Sequence, residues 1–209
     1  MVASLADQTG GSAPPSLAIA LGANLPGPGG SPLASLIAVR PLVEVCVQRW
    51  SQSLLPPAES VGFRWSPLFE TEPVGGPPGQ PNYVNAVVLV DGLTPPRGAE
   101  AAAEALLEHL QALEQQFGRE RHERWAPRSL DLDLLWWGAL RCHTPRLHLP
   151  HPLWHERDFV LAPLAALGEV PGPPGVVALA GRTGWPEPLQ AEALTRTAEP
   201  PAEPGLNPR

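Results

Sequence analysis

Gly118-Arg119-Glu120-Arg121-His122-Glu123-Arg124-Trp125-Ala126-Pro127-Arg128-Ser129-Leu130-Asp131-Leu132-Asp133-Leu134-Leu135-Trp136-Trp137 is the stretch on which the fold turns. The part through Arg128 carries four arginines; the rest alternates Leu and Asp and then runs apolar. Successive strand side chains point to opposite faces. Asp131 and Asp133 therefore share one face, and Leu130, Leu132 and Leu134 the other. Two carboxylates about 6–7 Å apart along a strand can flank a pair of hard cations, which in two-metal sites lie roughly 3.5–4 Å apart. Arginines keep their charge and present planar forks that suit phosphate oxygens. Together these groups point to phosphoryl chemistry on a magnesium nucleotide. Each half alone has a plainer reading: the acids as the solvated face of a strand, the arginines as a loop or nucleic-acid patch. Adjacency favours the sharper reading, because Trp125 and Pro127 stiffen the passage from arginines to strand.

Working outward, Leu17–Leu21 is a short apolar run closed by Gly22-Ala23-Asn24, a buried first strand ending in a turn. Ser31 is an N-cap and Pro32 a first helical residue. That helix runs to about Trp50, and Pro41 should kink or split it. Phe63–Phe69 reads as a second strand, followed by a Gly- and Pro-rich loop from Glu70 to Pro81 that is long enough to carry function. Tyr83–Val90 is a third strand, interrupted by Asn85. A helix from Thr94-Pro95 to Phe117 carries Leu106, Leu110, Leu113 and Phe117 on one stripe, with Gly118 closing it. Leu130–Trp137 is the acidic strand, Arg141–Leu149 a hairpin arm, and Phe159–Leu167 a final short helix. The order β, α, β, β, α, β is the split-βαβ, ferredoxin-like arrangement of the α+β class: an antiparallel sheet with helices packed on it. The first and fourth strands are expected in the middle of that sheet, with Asp131 and Asp133 central.

Composition narrows the class. With 209 residues the chain can bury its own core, and a formal net charge of -7 argues against a bulk nucleic-acid binder. Cys46 and Cys142 form neither a disulfide framework nor a metal-type spacing, so a reducing compartment is expected. No segment resembles a signal peptide or reaches the ~18 apolar residues of a membrane span. A cytoplasmic protein follows. Residues 1–16 read as a flexible N-terminus, 17–170 as the folded domain, and 171–209 as a Pro-rich flexible tail.

Several blocks resemble one family. They are Leu21-Gly22-Ala23-Asn24, Phe69-Glu70-Thr71 with Gln80-Pro81-Asn82-Tyr83-Val84-Asn85-Ala86, Gly118 through Asp133, and Leu149-Pro150-His151-Pro152 with Glu156-Arg157-Asp158-Phe159-Val160-Leu161. In this order and at this spacing, they resemble the 6-hydroxymethyl-7,8-dihydropterin pyrophosphokinases of folate biosynthesis. The resemblance implies transfer of pyrophosphate from MgATP to the pterin hydroxymethyl group. It implies that Asp131 and Asp133 hold two Mg2+ ions, and that Arg119, Arg121, Arg124 and Arg128 grip phosphates, with Trp125 on a mobile catalytic loop. Tyr83 and Phe159 match the aromatics around the pterin, Asn85 the amide that reads its edge, and Thr71 and Val74 the flanking loop. Glu114, Leu134, Arg146, His151 and Arg157, with Arg128, match the nucleotide side. The partners implied are small molecules acting on a monomer, with no nucleic acid and no membrane. Ala126 stands where the family usually has glycine, Gly79 replaces an aspartate, and Pro152 replaces an aromatic or arginine.

On their own residues, Tyr83 and Phe159 also read as core aromatics and His151 as an exposed loop histidine. Asn85 interrupts an apolar strand and needs partners. Two rival functions stand beside the kinase: a two-metal phosphohydrolase using the same Asp pair, and a ferredoxin-like RNA-binding module.

Overall fold

The computed structural model describes residues 17–54, 61–120, 126–173 and 175–178. The expected N-terminal segment and nearly all of the expected tail lie outside them, as do Arg121, Arg124 and Trp125. In chain order the elements are β1 (Leu17–Ala23), α1 (Pro32–Gln52), β2 (Gly62–Trp65), β3 (Phe69–Thr71) and β4 (Tyr83–Asp91). They continue with α2 (Glu100–Gln116), β5 (Asp131–Trp137), a hairpin of β6 (Cys142–His143) and β7 (His148–Leu149), and α3 (Asp158–Ala166). The α+β arrangement with helices packed on an antiparallel sheet is borne out.

β1 is buried at every residue, as befits a strand with neighbours on both edges and cover on both faces. It pairs antiparallel with β4 on one side and β5 on the other, while β2 and β3 share the far edge of β4. The order β2-β4-β1-β5 corrects the expectation about the acidic strand: β1 and β4 are central, and Asp131 and Asp133 ride on an edge. Each crossover helix returns the chain two places away. α1 carries it past the slot that β4 then fills, and α2 carries it back over β1 to that strand's open side. The outer edge of β5 is not bare, since the His151 N–H donates to the Leu135 carbonyl at 2.7 Å.

Other expectations shift for local reasons. α1 is not split at Pro41. Leu36 and Val39 before the proline, and Val43, Val47 and Trp50 after it, are all buried, so packing offsets the lost backbone bond. The single strand expected at 63–69 divides at Ser66-Pro67, because proline has no N–H to give a ladder. Ser66 substitutes there: its N–H donates to Val87 O at 2.9 Å and its hydroxyl accepts from Val87 N–H at 3.0 Å. α2 starts at Glu100 rather than at Thr94-Pro95. Pro95 and Pro96 disfavour helical geometry in the residues before them, and Gly98 sits at φ 73°.

The sheet separates two cores. Toward α1 and α2 lie Leu17, Ile19 and Leu21 of β1, Val88 and Val90 of β4, and Leu132 and Leu134 of β5. The predicted α2 stripe of Leu106, Leu110, Leu113 and Phe117 packs on them. Toward α3 the layer is Ala18, Ala20, Val87, Leu89 and Leu135 under Val160 and Leu164. Trp137 closes one end of the larger core, edge-on to Trp50 with ring centroids 4.8 Å apart, its indole N–H on Leu93 O at 2.9 Å. Beyond β3 the chain near the start of the expected tail returns, and Ala178 forms an isolated antiparallel bridge with Phe69.

Leu110 is fully buried between helix and sheet. Leu110→Ala is expected to cost about 2–5 kcal/mol, read as a fall in the urea midpoint with an unchanged m-value.

Candidate active site

Register sets the floor of the site. Asn85, Gly22 and Asp131 align in one cross-strand row, and Val87, Ala20 and Asp133 in the next. Both rows are on the α3 side of the sheet, where its apolar layer ends at Ala20 and Val87 and gives way to polar side chains. A Cβ on Gly22 would sit 2.9 Å from Asn85 Oδ1 and 3.7 Å from Tyr83 Cδ1, so only glycine keeps this floor clear. Above it opens a cleft of about 670 Å³.

The C-terminus of α2 aims the first arginine. Gly118, at φ 77°, ends the helix with its N–H on Gln115 O at 3.0 Å, and Arg119 N–H reaches back to Glu114 O at 3.0 Å. This paired closure is a Schellman motif. It turns Arg119 back toward β5, where its guanidinium donates to Glu114 Oε1 at 2.7 Å, to Leu130 O at 3.2 Å, and to Asp131 Oδ1. Arg128 donates to Asp131 Oδ2. Glu114, only 2% exposed, also accepts the Leu132 N–H at 2.8 Å. One buried carboxylate thus joins the helix end, the first arginine and the acidic strand.

Charge follows from these contacts. Burial alone would raise the Asp131 carboxyl, but the guanidinium groups of Arg119 and Arg128 overcome it and hold the group below its ordinary range. Among the described residues, Asp133 forms an ion pair with Arg157, at 3.6 Å. Lost hydration low in the cleft, followed by the negative charge of Asp131, pushes the Asp133 carboxyl up to about 7. A bound cation would favour the ionised form of both acids, adding to the guanidinium effect on Asp131 and opposing the upward push on Asp133. Among the described residues no group of three or more His, Cys, Asp or Glu side chains could hold a metal. A carboxylate pair is nonetheless the donor set that suits Mg2+ shared with phosphate oxygens. Its fit here rests on two hard oxygen donors on one face, of which Asp133 is the less closely met by guanidinium charge.

Every predicted site residue that is described lines this cleft. On the β4 side, Asn85 Nδ2 donates to Thr71 Oγ1 at 2.8 Å, joining β4 to β3. Val74 sits 69% exposed on the loop that follows. Tyr83 is half-buried, and lost hydration raises its phenol against the opposing pull of Arg128. Phe159 lies in the first turn of α3, with the Arg157 guanidinium carbon 5.5 Å from its ring centroid. On the β5 side, Leu134 is nearly buried in the helix-side core, and the half-exposed Arg146 pairs with Glu108 at 2.6 Å. His151 is kept neutral: lost hydration and then the charge of Arg157 lower it to about 4. Its Nδ1 accepts from Leu153 N–H at 3.2 Å, which leaves the proton of the neutral ring on Nε2.

Some of the wall was not singled out in the sequence. Leu107 and Gln111 of α2, with Thr144, Leu147 and His148 of the hairpin, complete it. Leu107 and Gln111 precede Glu114 at i, i+4, i+7 spacing, a second stripe beside the core-facing one. That spacing was the available signal.

Carboxylates framed by guanidinium groups thus lie beside a half-buried aromatic pocket on a ferredoxin-like sheet. Comparison with known proteins shows the family. The family described as 7,8-dihydro-6-hydroxymethylpterin-pyrophosphokinase (HPPK) matches residues 18–169, and the chain belongs to it. Proteins named 2-amino-4-hydroxy-6-hydroxymethyldihydropteridine pyrophosphokinase are similar over shorter stretches. The one from Synechocystis sp. is 47% identical over 93 residues, 44% of this chain and 43% of the relative. That of Pseudomonas aeruginosa is 44% identical over 102 residues, 49% of this chain and 58% of the relative. That of Bacillus subtilis is 41% identical over 103 residues, 49% of this chain and 56% of the relative. The chain thus spans about half the length of the curated relatives it matches. No described helix is long and apolar enough to cross a membrane.

Two outcomes follow. Glu114→Ala strands the Leu132 N–H and one contact of Arg119, and is expected to cost about 2–4 kcal/mol in chemical unfolding. His151 takes up a proton near pH 6.5 when unfolded but near pH 4 when folded, so it contributes stability above 6.5 that is lost as pH falls toward 4. His151→Asn should flatten that part of the profile, seen in urea midpoints at acid and neutral pH.

Proposed function

We propose that this chain transfers a diphosphoryl group from ATP to the hydroxymethyl oxygen of 6-hydroxymethyl-7,8-dihydropterin and releases AMP, a step of folate biosynthesis. The observation that carries the reading is the pairing of two different half-sites on one sheet face. Asn85 and Thr71 lie on one side of Gly22 and Asp131 on the other. Family membership and the relatives' names supply the identity of the substrates.

In this reading a flat pterin stacks between Tyr83 and Phe159. The Asn85 amide offers a donor and an acceptor to the ring edge, and the loop at Thr71 and Val74 closes the side. Asp131 and Asp133 would hold Mg2+, as two ions, which when bound would supply positive charge to offset that of the triphosphate. Arg119 and Arg128 donate to phosphate oxygens as charge builds between the reacting groups. Arg121, Arg124 and Trp125, outside the described residues, act from the connecting loop and exclude water. Glu114, Leu134, Arg146, His151 and Arg157 form the nucleotide side, with the Nε2–H of neutral His151 as a phosphate donor. The hydroxymethyl oxygen forms its bond to the β-phosphorus as the bridge to the α-phosphate breaks. Positioning and charge neutralisation lower the barrier. We place the reaction in the cytoplasm, with the chain acting as a monomer on small molecules. Its two cysteines are free thiols, which suits a reducing compartment.

The test is AMP formation from ATP and Mg2+, with and without the pterin, for wild type and Asp133→Ala. Pterin-dependent AMP that falls by about 10²–10³ in the variant is the expected result. AMP or ADP formed equally well without pterin would replace this reading with the phosphohydrolase.

A further inference from the structure

Asn24, directly after β1, is 1% exposed and takes no part in the reaction as drawn above. Its side chain is nonetheless fully engaged. Oδ1 accepts the Arg128 N–H at 2.7 Å, and Nδ2 donates to Pro81 O at 3.1 Å and to Gln80 Oε1 at 3.5 Å. Its backbone joins in, because Asn24 N–H and Leu25 N–H both donate to Arg128 O, at 2.9 and 3.0 Å. Gln80 extends the chain of contacts outward, its Nε2 on Gly75 O at 3.2 Å, next to Val74.

We propose that Asn24 is a positioning residue that locks the loop ahead of β4 and the backbone of Arg128 into one register. Both half-sites are then assembled together rather than independently. The names of the half-sites rest on the function proposed above; the clamp itself rests on the contacts. The segments it joins are remote in sequence, 57 residues from Asn24 to Pro81 and 104 to Arg128. The carboxamide is suited to the task because it offers an acceptor to one and a donor to the other. A buried amide using both ends leaves unpaired partners on both segments when removed. Arg128 is sensitive to such a loss, since its guanidinium pairs with Asp131 three residues on. A backbone shift at Arg128 would move that guanidinium relative to the acidic strand.

The two ends can be separated. Asn24→Asp keeps an acceptor for Arg128 N–H but sets a second acceptor against the Pro81 carbonyl. Asn24→Ala removes both. With kinetics measured well below the melting temperature, Asn24→Asp is expected to raise KM for the pterin roughly tenfold and leave KM for ATP within about twofold. Asn24→Ala should in addition lower kcat about tenfold. Amide hydrogen exchange supplies a readout independent of turnover: residues 75–81 exchange faster in both variants, Arg128 only in Asn24→Ala. Gln80→Ala, at the outer end of the clamp, should raise pterin KM about threefold alone, and it decides the matter if neither Asn24 variant folds. A lower melting temperature with wild-type KM, kcat and exchange pattern would overturn the clamp. Should wild type make no pterin-dependent AMP, the proposed function falls and exchange judges the clamp. The split between the two variants then supports it, and identical exchange in both rejects it.

Discussion

The carboxylate of Asp131 between two guanidinium groups is the interaction on which the rest depends. A carboxylate on a sheet face, with only 18% of its side chain exposed, is tolerable only if its charge is met. Arg119 and Arg128 meet it from either end of the segment that separates α2 from β5. That requirement fixes where α2 must stop, because Arg119 can reach Asp131 only if the helix closes at Gly118. It also fixes the path of Arg128, and hence why the turn after β1 is spent on holding that residue's backbone. Helix end, strand register and turn are three answers to one electrostatic demand.

Asp133 shows the other side of the arrangement. Two residues along the same face, it pairs with Arg157 at 3.6 Å and has a like charge for a neighbour. Left without a cation, the folded protein holds it against its ionised form. The contrast between the two acids is one of partners: both oxygens of Asp131 face guanidinium groups, while Asp133 is met less closely, by Arg157 at 3.6 Å. Glu114 belongs with Asp131 in this respect, since its carboxylate is occupied by a backbone amide and Arg119.

Much of this was legible in the sequence because it is written in local period. The alternation from Leu130 to Leu134 gave the faces of β5 correctly, and the stripe from Leu106 to Phe117 gave the buried side of α2. Gly118 could be read as a helix terminator for the conformational reason it serves. What was not legible depends on distant partners. The edge position of β5 follows from which slot each crossover leaves free, and nothing in Leu-Asp-Leu-Asp records it. Pro41 remains inside an unbroken α1 because burial on both sides outweighs a local rule. The candidate site residues were picked out through family-like blocks rather than through chemistry alone: Tyr83 and Phe159 look like core in the sequence, and the fold sets both along the cleft. Asn24 was quoted in such a block and given no task, since a lone amide after a strand does not announce bonds to residues 80, 81 and 128.

The edge position of β5 has a consequence for how the protein behaves among its own copies. An outer strand offers unpaired backbone groups to any passing strand, and a flat apolar one invites sheet-to-sheet association. Here the outer side of β5 is met by the backbone of His151. The strand's start carries acids aimed across the sheet face, and its far half is interrupted by a register shift opposite Ala18 and Ile19. Covered, charged and kinked, it is a poor template for extension by another chain. The two carboxylates that face the cleft also help to keep the open side of the sheet closed to other strands.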